Sequence, residues 1–314
     1  MSLELNYELL VALLVLTTAG WSVAARDSYS ATVGFVSYGL LLAIVWMQLQ
    51  AVDVALTEVA IGSGLTGLLL LGAAARLRGA EARVVARPSA MLRVTAALAC
   101  AGLSVALAYT VLSLPRAAPS LAAEAVAALP ATGLGNPVNG VLMAYRAFDT
   151  LLEKVVLVLS LVGVWSLAPD AGWTGRPRLL HPFADDGVLP FLARTLPPLG
   201  LLLGVHLMWN GADEPGGAFQ GATVLAAMWL LVLMAGLGEA PQVSARWVRA
   251  AAVAGPATFL AVGLAGMGVA GAFLAYPEPH AKALILFVEV PMMLTIALVL
   301  ALLVAGPPES APGR

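Results

Sequence analysis

Carboxylate side chains occur inside apolar stretches of this sequence, where an ionised group is costly and a protonated one can carry a proton. Asp53 and Glu58 flank the start of one such stretch, and Glu289 lies in the last one. Residues five apart on a helix point about 140° apart, so Asp53 and Glu58 do not form a paired site by themselves. We predict that Glu58 acts either in a proton relay or as a structural partner of a neighbouring chain. Unless another element supplies a cation, Glu289 is expected to be protonated and to carry a proton.

A second group of charges opens a later apolar run. Arg146, Asp149 and Glu153 share one helical stripe through their i, i+3 and i+7 spacing, so they can neutralise one another as a ladder of ion pairs. In the alternative, Asp149 and Glu153 belong to a polar path, and Lys154 at the edge of the same face changes their proton affinity. The sequence leaves both interpretations open.

A glycine-rich turn over residues 210–221 joins two apolar runs. Glycine admits backbone angles that other residues avoid, and irregular backbone at membrane depth is tolerated only against protein or a water-filled cavity. His206 lies one helical turn before this segment and is a candidate for titration near neutral pH, with a structural role as the alternative. The candidate hairpin residues are Pro215, Gly216, Gly217, Phe219 and Gly221.

Several classes of site are excluded by the sequence. It has no phosphate-binding glycine loop with its lysine, no histidines at zinc-ligand spacing and no nucleophile elbow. The single cysteine, Cys100, is expected to be a small buried side chain and forms no disulfide or metal cage within the chain. The formal net charge of −2 gives no reason to expect a nucleic acid partner. We therefore expect no redox or hydrolytic active site, no metal and no cofactor, and the sequence gives no reason to expect an enzyme.

The elements that position these residues are membrane-spanning helices. Of the 314 residues, 61% are apolar and 11% are charged, and the mean hydropathy is +0.92. Several apolar runs reach the roughly 20 residues that a helix needs to cross a bilayer. We predict an all-α, polytopic transmembrane bundle of about nine helices. Their expected positions are 6–24, 29–50, 54–75, 91–114, 141–168, 189–209, 218–238, 250–273 and 282–305.

Loop charges predict the orientation of this bundle. The loop after the third helix is rich in arginine, which places it in the cytoplasm by the positive-inside rule. The N-terminus is then outside and the C-terminus inside. The arginines expected on the cytoplasmic side are Arg76, Arg78, Arg83, Arg87, Arg93, Arg26, Arg176, Arg178, Arg194, Arg246 and Arg249; Arg116 and Lys282 are expected on the other side.

The two longest loops divide the chain into three predicted modules. Residues 1–114 form a helical unit, residues 115–168 form an outer linker and a single helix, and residues 169–314 form a four-helix unit. The linker, residues 115–138, is rich in alanine, proline and glycine.

Three motifs of the chain resemble parts of one family. Residues 53–58, Asp-Val-Ala-Leu-Thr-Glu, resemble the Asp-x-Ala-Leu-Thr-Glu signature of the small domain at the C-terminal end of the large Mrp antiporter subunit, which is also a separate subunit in membrane-bound hydrogenases. Residues 149–153 resemble the Asp-Thr-Leu-x-Glu motif that follows it there. Residues 215–221 resemble the hairpin of the MrpB-type subunit, and Glu289 matches an acid expected in its last helix. The matches keep the order of the modules in the family, which implies a fusion.

The resemblance implies a membrane subunit of a multisubunit Mrp-type Na⁺ (cation)/H⁺ antiporter in the plasma membrane of a prokaryote. Its expected partners are the other antiporter subunits, the lipid bilayer and the transported H⁺ and Na⁺, and its buried carboxylates line or support an ion path. One alternative is an equivalent subunit of a redox-driven complex, such as a membrane-bound hydrogenase or another relative of complex I. The other alternative is a purely structural scaffold whose acids are neutralised in static pairs.

Overall fold

The computed structural model describes residues 2–81, 89–115, 120–177 and 187–309. Seven helices in these ranges are long and apolar enough to cross a membrane. The α-helices are α1 (Ser2–Ala24), α2 (Ser28–Gln48), α3 (Val52–Thr57), α4 (Thr66–Glu81), α5 (Ala90–Ser113), α6 (Ala122–Ala128), α7 (Pro137–Gly140), α8 (Ala147–Trp165), α9 (Val188–Asn210), α10 (Ala218–Met234), α11 (Arg246–Val269) and α12 (Ala281–Ala305). A π-helical segment, Glu58–Leu65, makes α3 and α4 one continuous rod.

Two further apolar helices complete the bundle. α10 has 17 residues, and α8 has 19 residues that include Asp149, Glu153 and Lys154. With the seven longer spans they confirm the predicted all-helical membrane bundle of about nine long helices. The strands β1 (Arg176–Pro177) and β2 (Pro308–Glu309) form a short antiparallel pair beside it.

Helix α12 lies at the centre of the C-terminal half. It contacts α8, α9, α10 and α11, and 61% of its apolar span is buried. Thr295 on α12 bonds α11 twice, because its hydroxyl accepts from the Gly255 amide at 2.9 Å and donates to the Ala251 carbonyl at 2.6 Å. A polar group in the middle of α12 is therefore held inside a closely packed interior, where an unpaired charge is costly.

The N-terminal helices form a looser group. α2 packs against α1, α3, α4 and the π-helical segment, whereas α5 has no buried residue. Cys100 on α5 is exposed, so the expectation of a buried cysteine is wrong. Its side chain faces outward because no other described part of the chain covers α5, and lipid or a partner chain must cover so apolar a helix in a membrane.

The segment predicted as a linker, residues 115–138, has structure of its own in its described part. It contains α6 and a 3₁₀ turn, Leu129–Thr132, and several of its side chains are buried. The helix predicted over 141–168 also starts differently. A short π-helical segment, Val141–Tyr145, precedes a break at Arg146, after which α8 begins.

Contacts at each end of the bundle show which loops lie together. Lys282 bonds both Asp213 carboxylate oxygens at 2.7 Å at one end, and Arg176 pairs with Glu239 at 2.6 Å elsewhere. The side of the membrane on which each end lies stays a prediction. Part of the charge pattern behind it, Arg83, Arg87, Arg116 and Arg178, lies outside the described residues, as does the side chain of Arg78.

Candidate functional site

Asp53 joins the N-terminal helices to the glycine-rich hairpin. Its Oδ1 accepts a hydrogen bond of 2.9 Å from the Gly216 amide, 163 positions away in the sequence. Gly216 and Gly217 have φ angles of +154° and +136°, which other residues rarely adopt, so both glycines are required for this turn. The carboxylate of Asp53 therefore holds the hairpin against α3.

Asn136 lies at the same junction, and we call this group the Asp53–Asn136–Gly216 junction. The Asn136 side chain is 3% exposed. Its Nδ2 lies 3.4 Å from Asp53 Oδ1, 2.9 Å from the Glu214 carbonyl oxygen and 3.3 Å from the Gly211 carbonyl oxygen. The junction therefore ties together α3, the segment before α7 and the hairpin.

Asp53→Ala is expected to destabilise the chain by about 1–3 kcal/mol, because it leaves the Gly216 amide and the Asn136 amide without their carboxylate acceptor. The measurement is the midpoint of thermal unfolding of the purified chain in mild detergent. Asp170→Ala is the matched control, since Asp170 is exposed in a turn. Equal midpoints for the two variants would show that the junction contributes nothing to stability.

Glu58 occupies a separate position at the start of the π-helical segment. Its carboxylate lies against Gly62 and against Gly39 on α2, where an added Cβ would come within 3.0 Å of Glu58 Oε1. Ser63 is 3% exposed, its hydroxyl lies beside the same Gly39, and that hydroxyl has no hydrogen-bond partner within the described residues. π-Helical turns occur often at functional sites. Asp53 and Glu58 thus face different neighbours, in agreement with their predicted angular separation.

Glu289 is buried on α12, which packs against α8, the helix that carries the buried Lys154. Its side chain is 2% exposed, and Oε2 has no hydrogen-bond partner among the described residues. The ammonium of Lys154, itself 4% exposed, acts electrostatically on this carboxylate. The Lys154 Nζ donates to Glu153 Oε1 at 2.9 Å and lies 4.6 Å from the centroid of the Phe219 ring. The structure therefore brings Glu153, Lys154, Phe219 and Glu289 together.

Two further polar side chains interact with the same carboxylate, one by contact and one through its charge. Asn139 lies beside Glu289, and its Nδ2 donates to the Gly211 carbonyl at 3.0 Å. Tyr276, in the loop before α12, has a buried hydroxyl with no hydrogen-bond partner in the described part of the chain. Burial raises the pKa of the Tyr276 hydroxyl above its usual value, and the charge of Glu289 adds to this, so the phenol is neutral at physiological pH.

Other predicted residues lie on the outside of the bundle. Arg146 and Asp149 form an ion pair of 2.6 Å with side chains 71% and 54% exposed, so this step of the predicted ladder forms. Glu153 is 51% exposed and pairs with Lys154 rather than with Arg146. His206 is exposed on α9.

Sequence reasoning missed Asn136, Asn139 and Tyr276. A local signal was present for the first, because an asparagine directly before a proline is a common helix start. The Asn136 Oδ1 indeed accepts from the Val138 amide at 2.9 Å. The burial of the two asparagines has no signal in the local sequence, since both bond to residues more than 70 positions away. The local sequence likewise gave no signal for the buried hydroxyl of Tyr276.

Two known families match separate parts of the chain. Residues 13–79 match the MbhD family, which is described as the D component of MBH. Residues 188–307 match a domain related to the MnhB subunit of the Na⁺/H⁺ antiporter. Each match covers less than half of the chain, and we refer to the two matched segments as the MbhD domain and the MnhB-related domain. The predicted resemblance to Mrp-type proteins is confirmed by these matches.

The polar groups described above divide between the two domains. Asp53, Glu58 and Ser63 lie in the MbhD domain, and the hairpin and Glu289 lie in the MnhB-related domain. Lys154 and both asparagines lie between the matched ranges. The Asp53–Asn136–Gly216 junction is thus a contact between the domains, and the three predicted module boundaries stay a prediction.

Solved structures share the fold of most of the chain. One is a chain of the Mrp complex from Dietzia sp. DQ12-45-1b, with a TM-score of 0.75 and 24% identity. The superposition covers 97% of the present chain and 35% of the Dietzia chain. Another is a chain of the membrane-bound sulfane sulfur reductase, an archaeal respiratory membrane complex, with a TM-score of 0.54 and 22% identity. That superposition covers 68% of the present chain and 97% of the reductase chain. Both likenesses concern the fold.

The curated relatives of this chain extend well beyond the segments that match it. A probable K⁺/H⁺ antiporter protein of Rhizobium meliloti (strain 1021), named as its A/B component, is 27% identical over 274 residues, which cover 76% of this chain and 26% of that protein. An uncharacterized protein of Methanocaldococcus jannaschii is 29% identical over 154 residues, which cover 44% of this chain and 59% of that protein. The chain therefore matches less than two thirds of either relative.

Proposed function

We propose that this chain is a membrane subunit of a multisubunit Mrp-type cation/proton antiporter. The observation that carries the proposal is the presence of an MbhD domain and an MnhB-related domain on one chain, in contact through the Asp53–Asn136–Gly216 junction. The likeness of the fold to part of an Mrp complex and the antiporter relative support it. The role is that of a transporter component rather than of an enzyme, in the plasma membrane of a prokaryote.

The charged face of α8 supports the need for partner chains. Asp149 and Glu153 on this otherwise apolar helix, and Arg146 directly before it, are each more than half exposed. Charged side chains inside a membrane face other protein or a water-filled cavity, because contact with hydrocarbon costs several kcal/mol for each. We infer that another subunit covers this face of α8 and shares a polar path with it.

Acidic side chains supply the ion path of the proposed function. Glu289 with Lys154 forms the buried part, Glu153 connects it to the outside of α8, and Asp149 extends the exposed face. Glu58 with Ser63 forms a second polar position in the MbhD domain, and His206 is a further candidate on the outside of α9. Asp53 supports this path indirectly, because its carboxylate holds the hairpin in place. The transported ions are H⁺ together with Na⁺ or K⁺.

A second candidate function is that of a membrane component in a redox-driven ion pump. The MbhD match and the likeness of the fold to an archaeal respiratory complex favour it. In that case the neighbouring chains include soluble iron–sulfur proteins, which an antiporter lacks. A pure scaffold is the remaining alternative, and it predicts that amide replacements of the buried acids leave transport unchanged.

Purification of the tagged full chain in mild detergent is expected to bring down large antiporter-like membrane proteins without iron–sulfur proteins. The reason is that the charged face of α8 requires a protein partner in the membrane. Mass spectrometry of the co-purifying chains makes the measurement, and an unrelated polytopic protein with the same tag gives the background. Co-purification of iron–sulfur proteins would favour the redox-driven complex. Elution of the intact chain alone would refute the multisubunit proposal.

A further inference from the structure

Lys154 stands between an exposed carboxylate and a buried one. Its Nζ bonds Glu153 at 2.9 Å on the outer side of α8, and its charge acts on Glu289 in the interior. Only 4% of Lys154 and 2% of Glu289 are exposed. A buried ammonium without counterions is costly, and here the two carboxylates provide them.

The groups around this pair suit an ammonium better than a metal ion. From α10, the face of the Phe219 ring lies 4.6 Å from the Lys154 Nζ, and such faces attract organic cations. From the other elements, the Asn139 amide and the Ala218 backbone amide lie against Glu289, and the neutral Tyr276 hydroxyl feels its charge. Hard metal cations need several oxygen ligands and lose a hydration shell on binding, whereas here a tethered ammonium already holds the cation position.

We propose that Lys154 is a built-in cation that closes the Glu153–Glu289 site to Na⁺ and K⁺, so that this site exchanges protons only. A proton that leaves the Lys154 ammonium for the Glu289 carboxylate yields a neutral amine and a neutral acid. A proton from the aqueous side, taken up first by the exposed Glu153 carboxylate, then passes to the amine and restores the ammonium, so charge and atoms balance at each step. The metal cation of the proposed antiport must therefore use other groups.

This inference deepens the proposed function, on which it rests, by naming the ion at one of its sites. It nevertheless concerns groups within one chain, so it can be tested on the purified full chain without its partners. Loss of the proposed partners would refute the antiporter assignment and leave the selectivity of this site standing. Binding of a metal ion at the site would refute the proposed selectivity and leave the antiporter assignment standing.

The test compares thermal unfolding in NaCl, KCl and choline chloride at equal ionic strength. For the wild-type chain we expect the same midpoint in all three salts. For Lys154→Met, which keeps the side-chain length and removes the charge, we expect NaCl or KCl to raise the midpoint by about 2–4 °C at concentrations well above Kd, because a ligand that binds the folded state stabilises it. The double variant with Glu289→Gln should lose this rise.

Two results would overturn the inference. The first is a rise of the wild-type midpoint in NaCl or KCl that Glu289→Gln removes, and this arm does not depend on the folding of Lys154→Met. The second is a folded Lys154→Met chain with no rise in either salt, which would show that the ammonium does not exclude the metal ion. Lys154→Arg keeps the charge and should behave like the wild-type chain.

Discussion

Glu289→Gln in the assembled complex is expected to lower ion-coupled transport at least about tenfold, which corresponds to a rise of roughly 1.4 kcal/mol in the barrier. Glutamine keeps the size of the side chain but carries no titratable proton, and Lys154 then has only the half-exposed Glu153 as a counterion. The measurement is cation-driven proton movement in proteoliposomes. Assembly of the complex should be unchanged, since the packing around α12 is preserved.

Glu278→Gln is the matched control for this result. Glu278 is exposed in the turn before α12, eleven positions before Glu289 in the sequence, and the same substitution there should leave transport at the wild-type level. Full activity of Glu289→Gln in an intact complex would assign Glu289 to a static pair and favour the scaffold alternative.

Gly211→Ala is expected to prevent the hairpin from forming, and the yield of folded chain should fall several-fold. An added Cβ would lie 2.5 Å from the Gly217 Cα, and all of its nearest atoms belong to the backbone. This backbone has little freedom to move, because the Gly217 amide donates to the Leu207 carbonyl at 2.9 Å. Overpacking of this kind typically costs about 1–3 kcal/mol and sometimes more. Size-exclusion profiles in detergent and thermal unfolding give the measurement.

Gly268→Ala provides the comparison for Gly211→Ala. An added Cβ on Gly268 in α11 meets nothing within 4 Å, and alanine favours a helix over glycine by about 1 kcal/mol. This variant should fold with the wild-type yield and an equal or higher unfolding midpoint. Similar behaviour of the two variants would show that the hairpin tolerates a larger residue.

Apolar runs predicted the membrane helices well because the bilayer imposes a length and a composition on each span. The breaks inside spans had no such signal. The π-helical segment at Glu58 and the break at Arg146 depend on the neighbours that each turn contacts, including Gly39 on α2 for the first. A run of alanine, proline and glycine likewise indicated a linker, whereas Asn136 is buried there by contacts with residues more than 70 positions away.

The candidate site was predictable in its acids and not in its pairings. Glu289 stood out because a carboxylate in an apolar run needs a reason to be there. Lys154 was predicted to face Asp149 and Glu153, and its electrostatic effect on Glu289 follows only from the packing of α8 on α12. Periodicity within one helix cannot reveal which residue of a distant helix lies opposite.

The Asp53–Asn136–Gly216 junction also bears on how the two domains stay together. A covalent connection raises the effective concentration of one domain near the other to roughly millimolar values, so a contact of modest affinity remains formed. These hydrogen bonds, with the bond from Gln220 to Thr57 and the packing of Leu65 and Leu68 on the C-terminal helices, would be a modest interface between separate molecules. Within one polypeptide they suffice, and the chain fixes the ratio of the two domains in any assembly at one to one.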